Sequence, residues 1–107
     1  MSNRQDKALS LLGLAARGRN LTSGEAQVLD AIRSGEALLV VVAEDASDNT
    51  RKLFRDKCAY YEVPFREYAT KNALGEAIGR EYRSSVCVTE PGLAEKIQTY
   101  IDTNSGY

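Results

Sequence analysis

A chain of 107 residues, 43% hydrophobic and 27% charged, has length for one buried core and not two, so a single domain over 1–107 is expected. Its 14 basic and 15 acidic residues leave a net charge of −1, which excludes a polycation that binds nucleic acid through bulk charge; an anion-binding surface would have to come from local clustering. Histidine is absent and Cys58 and Cys87 stand alone, which excludes a Cys/His zinc site and any Ser-His or Cys-His nucleophile pair.

The two cysteines read as buried, reduced thiols. No apolar segment reaches membrane-spanning length, and the start, MSNRQDKALS, lacks the apolar core of a signal peptide. A cytoplasmic location without membrane contact is expected.

The spacing of Ala8, Leu9, Leu11, Leu12, Leu14, Ala15 and Ala16 predicts a helix from Arg4 to Arg17. Asp6 falls in its first turn and Arg17 in its last, as the helix dipole prefers, and Gly18 is expected to close it in a left-handed conformation. A polar connector through Asn20 and a very short strand at Leu21 follow. Thr22, Ser23, Gly24 and Glu25 fit a capping box that opens a second helix to Ser34, with Val28, Leu29 and Ile32 inward and Gly35 as its stop. The run Leu38–Ala43 is apolar without interruption, the pattern of a strand covered on both faces. Glu44, Asp45 and Ala46 make the turn after it. Ser47 caps a third helix to Tyr61, predicted to bury Leu53, Phe54, Cys58 and Tyr61. Val63 to Tyr68 reads as a strand whose Pro64 suits an edge. Thr70 caps a fourth helix through Gly79, and Gly75 and Gly79 on one face predict close approach to the sheet. Ser85 to Thr89 is a further strand, Pro91 opens a helix to Ile101, and 102–107 reads as a loose tail. The alternation predicts an α/β fold: a three-layer α/β/α sandwich with a mixed sheet of about four strands and five helices.

Several stretches carry residues suited to a ligand. Gly24 and Glu25 start a helix whose free N–H groups and positive dipole end suit phosphate, and Arg17 and Arg19 lie upstream. A well-capped helix beside solvated arginines has the same pattern. Glu44, Asp45 and Asp48 could be cation ligands, but a receiver-type site needs another acidic pair on an earlier long strand, so turn and capping chemistry is the preferred reading, with no metal or cofactor. Asn49, Thr50, Arg51 and Lys52, and again Lys71 and Asn72, place amides, hydroxyls and cations on first helical turns. Such residues suit phosphate, and equally a solvated face. Arg80, Glu81, Tyr82 and Arg83 set an aromatic ring among charges, a mixture that stacks on an unpaired base and holds its phosphate. No catalytic residue is assigned.

LLGLAARGRNLTSGEAQVLDAIRSGEALLVVVAEDASDNTRKLFRDKCAYYEVPF followed by TKNALGEAIG resembles the bacterial YlxQ-like branch of the kink-turn RNA-binding ribosomal-protein superfamily. The resemblance spans about Leu9 to Ile97 and rests on AEDAS, KC-YY-VP and TK-LG-AIG together. It implies an α/β/α sandwich without enzymatic activity or cofactor. The implied partner is structured RNA, ribosomal RNA included, in a ribosomal or translation-linked setting, bound by a monomer. Gly24 matches the glycine at the helix start that enters the RNA groove. Lys71 matches the lysine opening the fourth helix, Arg80, Glu81 and Tyr82 occupy the loop over flipped-out bases, and Asp45 matches the acid after the central strand. Where the archaeal branch has an Asn-Glu pair and then a lysine, this chain has Ala26, Gln27 and Asp30. Ala26 makes no base contact, Asp30 repels phosphate, and Gln27 keeps hydrogen-bonding capacity. The expected RNA-binding set is therefore Arg17, Arg19, Ser23, Gly24, Glu25, Gln27, Asp45, Asn49, Arg51, Lys71, Arg80, Glu81 and Tyr82. The alternative is a protein-interaction module of the same fold, on a ribosome or transcription complex, with vestigial RNA contact.

Overall fold

The computed structural model describes residues 6–105, in which helices and strands alternate as α1 (Lys7–Arg17), β1 (Leu21–Ser23), α2 (Glu25–Ser34), β2 (Leu39–Val42), α3 (Asp48–Tyr61), β3 (Phe65–Glu67), α4 (Lys71–Ala77), β4 (Ser85–Val88) and α5 (Pro91–Ser105). The strands form one sheet in the order β1-β4-β2-β3. β4 runs antiparallel to both β1 and β2, while β2 and β3 are parallel, so the sheet is mixed as predicted. Helices α2 and α3 cover one face, and α1 with α5 covers the other, with α4 packed on α1. The parallel β2–α3–β3 step is what requires a crossover helix on one face.

The central strands β2 and β4 are wholly buried, which explains why LVVV needs no polar alternation. Leu12, Val28, Ile32, Phe54, Leu74, Ile97 and Ile101 close over them from the helices. Cys58 and Cys87 lie in this core as free thiols; burial pushes Cys58 up to about 12 and Cys87 up to about 11, so both are protonated at neutral pH. Among the described residues no helix is long and apolar enough to cross a membrane.

The strand directions have one consequence for function. β1, β2 and β3 all end, and β4 begins, at the same rim, where Ser23 faces Val86 and Val42 faces Ser85. The N-termini of α2, α3 and α4 therefore stand together there, because each follows a strand that ends at that rim.

Local details differ from the sequence expectation. Asp6 is the N-cap of α1 and not a first-turn residue, accepting from Leu9 N at 2.9 Å, while Arg4 lies outside the described residues. The left-handed residue after α1 is Arg19 (φ 62°), whereas Gly18 has φ −88°. The capping box does not form: Thr22 and Ser23 are drawn into β1 by pairing with β4, leaving Gly24 at the N-cap of α2 with no side-chain bond. Leu14 and Tyr61 are 49% and 39% exposed, because α1 and α3 bury narrower stripes than their apolar content allows. α4 ends at Ala77, and Gly75 backs onto the following loop: a β-carbon there would lie 2.3 Å from Tyr82 Cα. α5 continues through Ser105 in place of a tail from Asp102, since Ile101 is buried and Asp102 pairs with Arg66 of β3. Gly106 and Tyr107 lie outside the described residues.

Candidate nucleic-acid interface

Four segments converge on the rim. Gly24 adopts φ +100°, a conformation that L side chains rarely take, and its N–H donates to Ser85 O at 3.2 Å. That bend turns the chain from β1 into α2 with no capping side chain, so the first-turn amides face outward beside exposed Glu25, Ala26 and Gln27. Gln27 curls back over the turn; its Oε1 lies 2.7 Å from where a β-carbon on Gly24 would sit. The starts of the other two rim helices are occupied from within. Ser47 Oγ accepts from Thr50 N at 3.1 Å on α3. On α4, Thr70 Oγ1 accepts from Ala73 N at 3.1 Å and Asp45 Oδ1 accepts from Lys71 N at 2.8 Å.

Asp45 is therefore a brace between the β2–α3 turn and α4, with one carboxylate oxygen accepting from a backbone donor. Glu44 N reinforces the same junction by donating to Ala69 O at 2.8 Å. The lysine positioned this way holds its ammonium 5.8 Å from the centroid of the Tyr82 ring, within cation–π range. Tyr82 is 56% exposed, which leaves a ring face for a further planar group. Arg80 and Glu81 are exposed beside it, and with Gly79 and Arg83 they line an open hollow of about 450 Å³. Among the described residues no group of three or more acids or thiols is arranged to hold a metal; Asp45 accepts from Lys71 N and Asp48 pairs with Arg51.

Other candidates are placed elsewhere or are occupied. Arg17 and Arg19 lie at the far end of α1, whose opposite end is fixed at the rim by Tyr68 Oη donating to Asp6 Oδ2 at 2.8 Å. Eleven helical residues separate those ends by roughly 16 Å. Arg17 lines a separate open groove of about 350 Å³ with Leu9, Gly13, Ala73, Glu76 and Ala77, a lining that does not include Lys71. Arg51 is held by Asp48 and by Glu67 Oε1 at 3.5 Å, so it ties α3 to β3. Asn49 is exposed on the first turn of α3, at the rim. Ser23 is half-buried at the end of β1, where its hydroxyl accepts from Arg83 Nε at 3.1 Å. Arg83 is absent from the set inferred from sequence, where it is only the end of a charged loop; its bond to a residue 60 positions away has no local signal.

Comparison with known proteins places this fold in a family. Residues 6–98 match the profile of the Ribosomal protein L7Ae/L30e/S12e/Gadd45 family. The RNA-binding protein YlxQ of Bacillus subtilis (strain 168) is 47% identical over 92 residues, 86% of this chain and 92% of that protein. The RNA-binding protein YlxQ of Enterococcus faecium is 40% identical over 100 residues, 94% and 95% of the two chains. A protein of unknown function from Bacillus halodurans superposes with a TM-score of 0.89 at 41% identity, over 92% of this chain and 99% of that one. The Giardia lamblia 15.5kD RNA binding protein shares the fold, with a TM-score of 0.76 at 24% identity over 89% and 84%. With a profile spanning almost every described residue and relatives matched nearly end to end, the chain belongs to the ribosomal protein L7Ae/L30e/S12e/Gadd45 family.

Proposed function

We propose that this chain is a non-enzymatic RNA-binding protein that grips structured RNA at the rim formed by Gly24, Gln27, Lys71 and Tyr82. The observation that carries the reading is the convergence there of an uncapped helix start, a cation and an exposed aromatic face, delivered by three different loops. Backbone amides and Lys71 suit phosphate, Gln27 suits a base edge, and Tyr82 suits a base that has left its stack. An RNA with a distorted, partly unpaired stem offers those groups together, and a regular duplex does not. The relatives named for RNA binding support the same class of ligand. Ser23, Glu25, Asn49, Arg80 and Glu81 border the contact surface, Asp45 shapes it, and Arg17, Arg19 and Arg51 lie outside it. The setting we assign is cytoplasmic and translation-linked, with the protein acting as a monomer on ribosomal or other structured RNA.

The test is titration of a kink-turn stem-loop, an unkinked duplex of equal length and a ribosomal RNA mixture at two salt concentrations. Preference for the kinked stem is the expected result. Equal and negligible binding to all three at low salt would rule the reading out.

A further inference from the structure

Arg83 makes three bonds that join both halves of the rim. Its backbone N–H donates to Lys71 O at 3.1 Å, its Nε to Ser23 Oγ at 3.1 Å, and its Nη1 to Tyr82 O at 2.8 Å. Ser23 immediately precedes Gly24, where α2 begins, and Tyr82 carries the exposed ring. One side chain thus spans from the edge of the α2 start to the carbonyl of the stacking residue. Gly75 supports the same loop from behind: a β-carbon on it would lie 2.7 Å from Tyr82 N as well as 2.3 Å from its Cα. Lys71 completes the enclosure from above the ring. The segment 79–84 has no helix or strand of its own to hold it, so these contacts restrain its middle, while Arg80 N donating to Gly75 O at 2.7 Å and Ala43 N donating to Ser84 O at 2.9 Å hold its two ends.

We infer that Arg83 is a positioning residue, which latches the Tyr82 loop to the start of α2 through Ser23 and so presets the distance between the base-stacking and phosphate-binding parts of the rim. The inference rests on the RNA-binding reading and adds a residue and a role to it. A guanidinium suits the task because it is planar and donates in two directions at fixed angles, which an ammonium on a flexible stem does not. Without the latch the loop still exists, but RNA must order it on binding, and that cost appears as lost affinity. The half-buried guanidinium has two of its donors engaged within the protein, with Ser23 and Tyr82 as their partners.

The experiment is a double-mutant cycle on Arg83→Met and Ser23→Ala, read as Kd for a kink-turn stem-loop across a salt series, with thermal unfolding followed in parallel. Each single variant should bind about tenfold more weakly, the double no worse than either, and Ser23→Thr, which keeps the hydroxyl, should recover most of the affinity that Ser23→Ala loses. The slope of log Kd against log salt should be the same for all, because no phosphate contact is removed. Additive losses, or a shallower slope for Arg83→Met, would mean direct contacts by the two residues and would overturn the latch. Should Arg83→Met unfold, Ser23→Ala and Ser23→Thr still decide: equal affinity in those two overturns it. Wild-type protein that binds none of the RNAs overturns the RNA reading itself, whereas wild-type binding unaffected by the variants overturns only the role of Arg83.

Discussion

Tyr82 and Gly75 divide what would otherwise be one loop into a working part and a structural part. Tyr82 is more than half exposed and its ring supports no core contact, so Tyr82→Ala should leave the unfolding midpoint in place while weakening RNA binding by about 1–3 kcal/mol, the range for losing one stacked base. Fluorescence anisotropy with an RNA carrying unpaired bases, against a fully paired control, measures it; an equal loss on both RNAs would deny the stacking role. Gly75 is the converse case. Its missing side chain leaves the space in which the Tyr82 backbone sits, so Gly75→Ala should cost about 1–3 kcal/mol of stability as α4 and the loop are pushed apart. Urea unfolding reads this directly, and an unchanged midpoint would show that the contact yields. The sequence pointed to Tyr82 by its charged neighbours, but assigned Gly75 to sheet contact, because a glycine on a helix face reports close approach without naming what approaches.

Ion pairs do at the scale of elements what the core does not, fastening the edge strand β3 to helices on both sides. Arg51 and Arg55 of α3 share Glu67, with Arg55 at 3.4 Å, and Arg66 pairs with Asp102 of α5 through two donors at 2.7 and 3.1 Å. The hydrogen bond and charge of Arg66 hold the Asp102 carboxyl below its ordinary value, so the stabilisation is present above that value and is lost as pH falls through the folded pKa. Both partners are partly solvated, which limits the pair to less than about 1 kcal/mol. Asp102→Asn should therefore lower stability slightly near neutral pH and converge with wild type in acid; a gap that widens on acidification would contradict the assignment. Helix α5 extends past the predicted tail for the same reasons: Ile101 is buried against the core, and Asp102 is held by β3. Likewise, the supposed capping box dissolves because Thr22 and Ser23 gain ladder partners in β4, which local pattern cannot register.

For the whole molecule, a net charge of −1, the placement of Arg17 and Arg19 at the far end of α1 and the pairing of Arg51 with Asp48 and Glu67 leave Lys71 and Arg80 as the main free cations of the rim. Affinity for RNA should then fall with a slope of only about −2 to −3 in log K against log salt, far from that of a polycationic binder. Filter binding over a salt series gives the slope, and a value beyond about −5 would require cations other than these. A shallow slope means that shape and hydrogen bonding dominate recognition, in keeping with an uncapped helix start and a single aromatic platform.

Sequence by itself determined the layers, because periodicity and turn chemistry are local: a short unbroken apolar run bounded by turn residues has the pattern of a doubly covered strand, and alternation with amphipathic helices leaves few arrangements. It also supplied Gly24, Lys71 and Tyr82 as separate candidates. Only the tertiary structure decided which of them meet. The direction of β4 brings Ser85 beside Gly24, the turn after β2 delivers Asp45 to Lys71, and Arg83 reaches across 60 residues to Ser23. The same geometry carried Arg17 and Arg19 to the opposite end of α1, since a helix must run back along the sheet before the next strand begins. Contacts between distant segments depend on strand order and direction, quantities that no window of neighbouring residues contains.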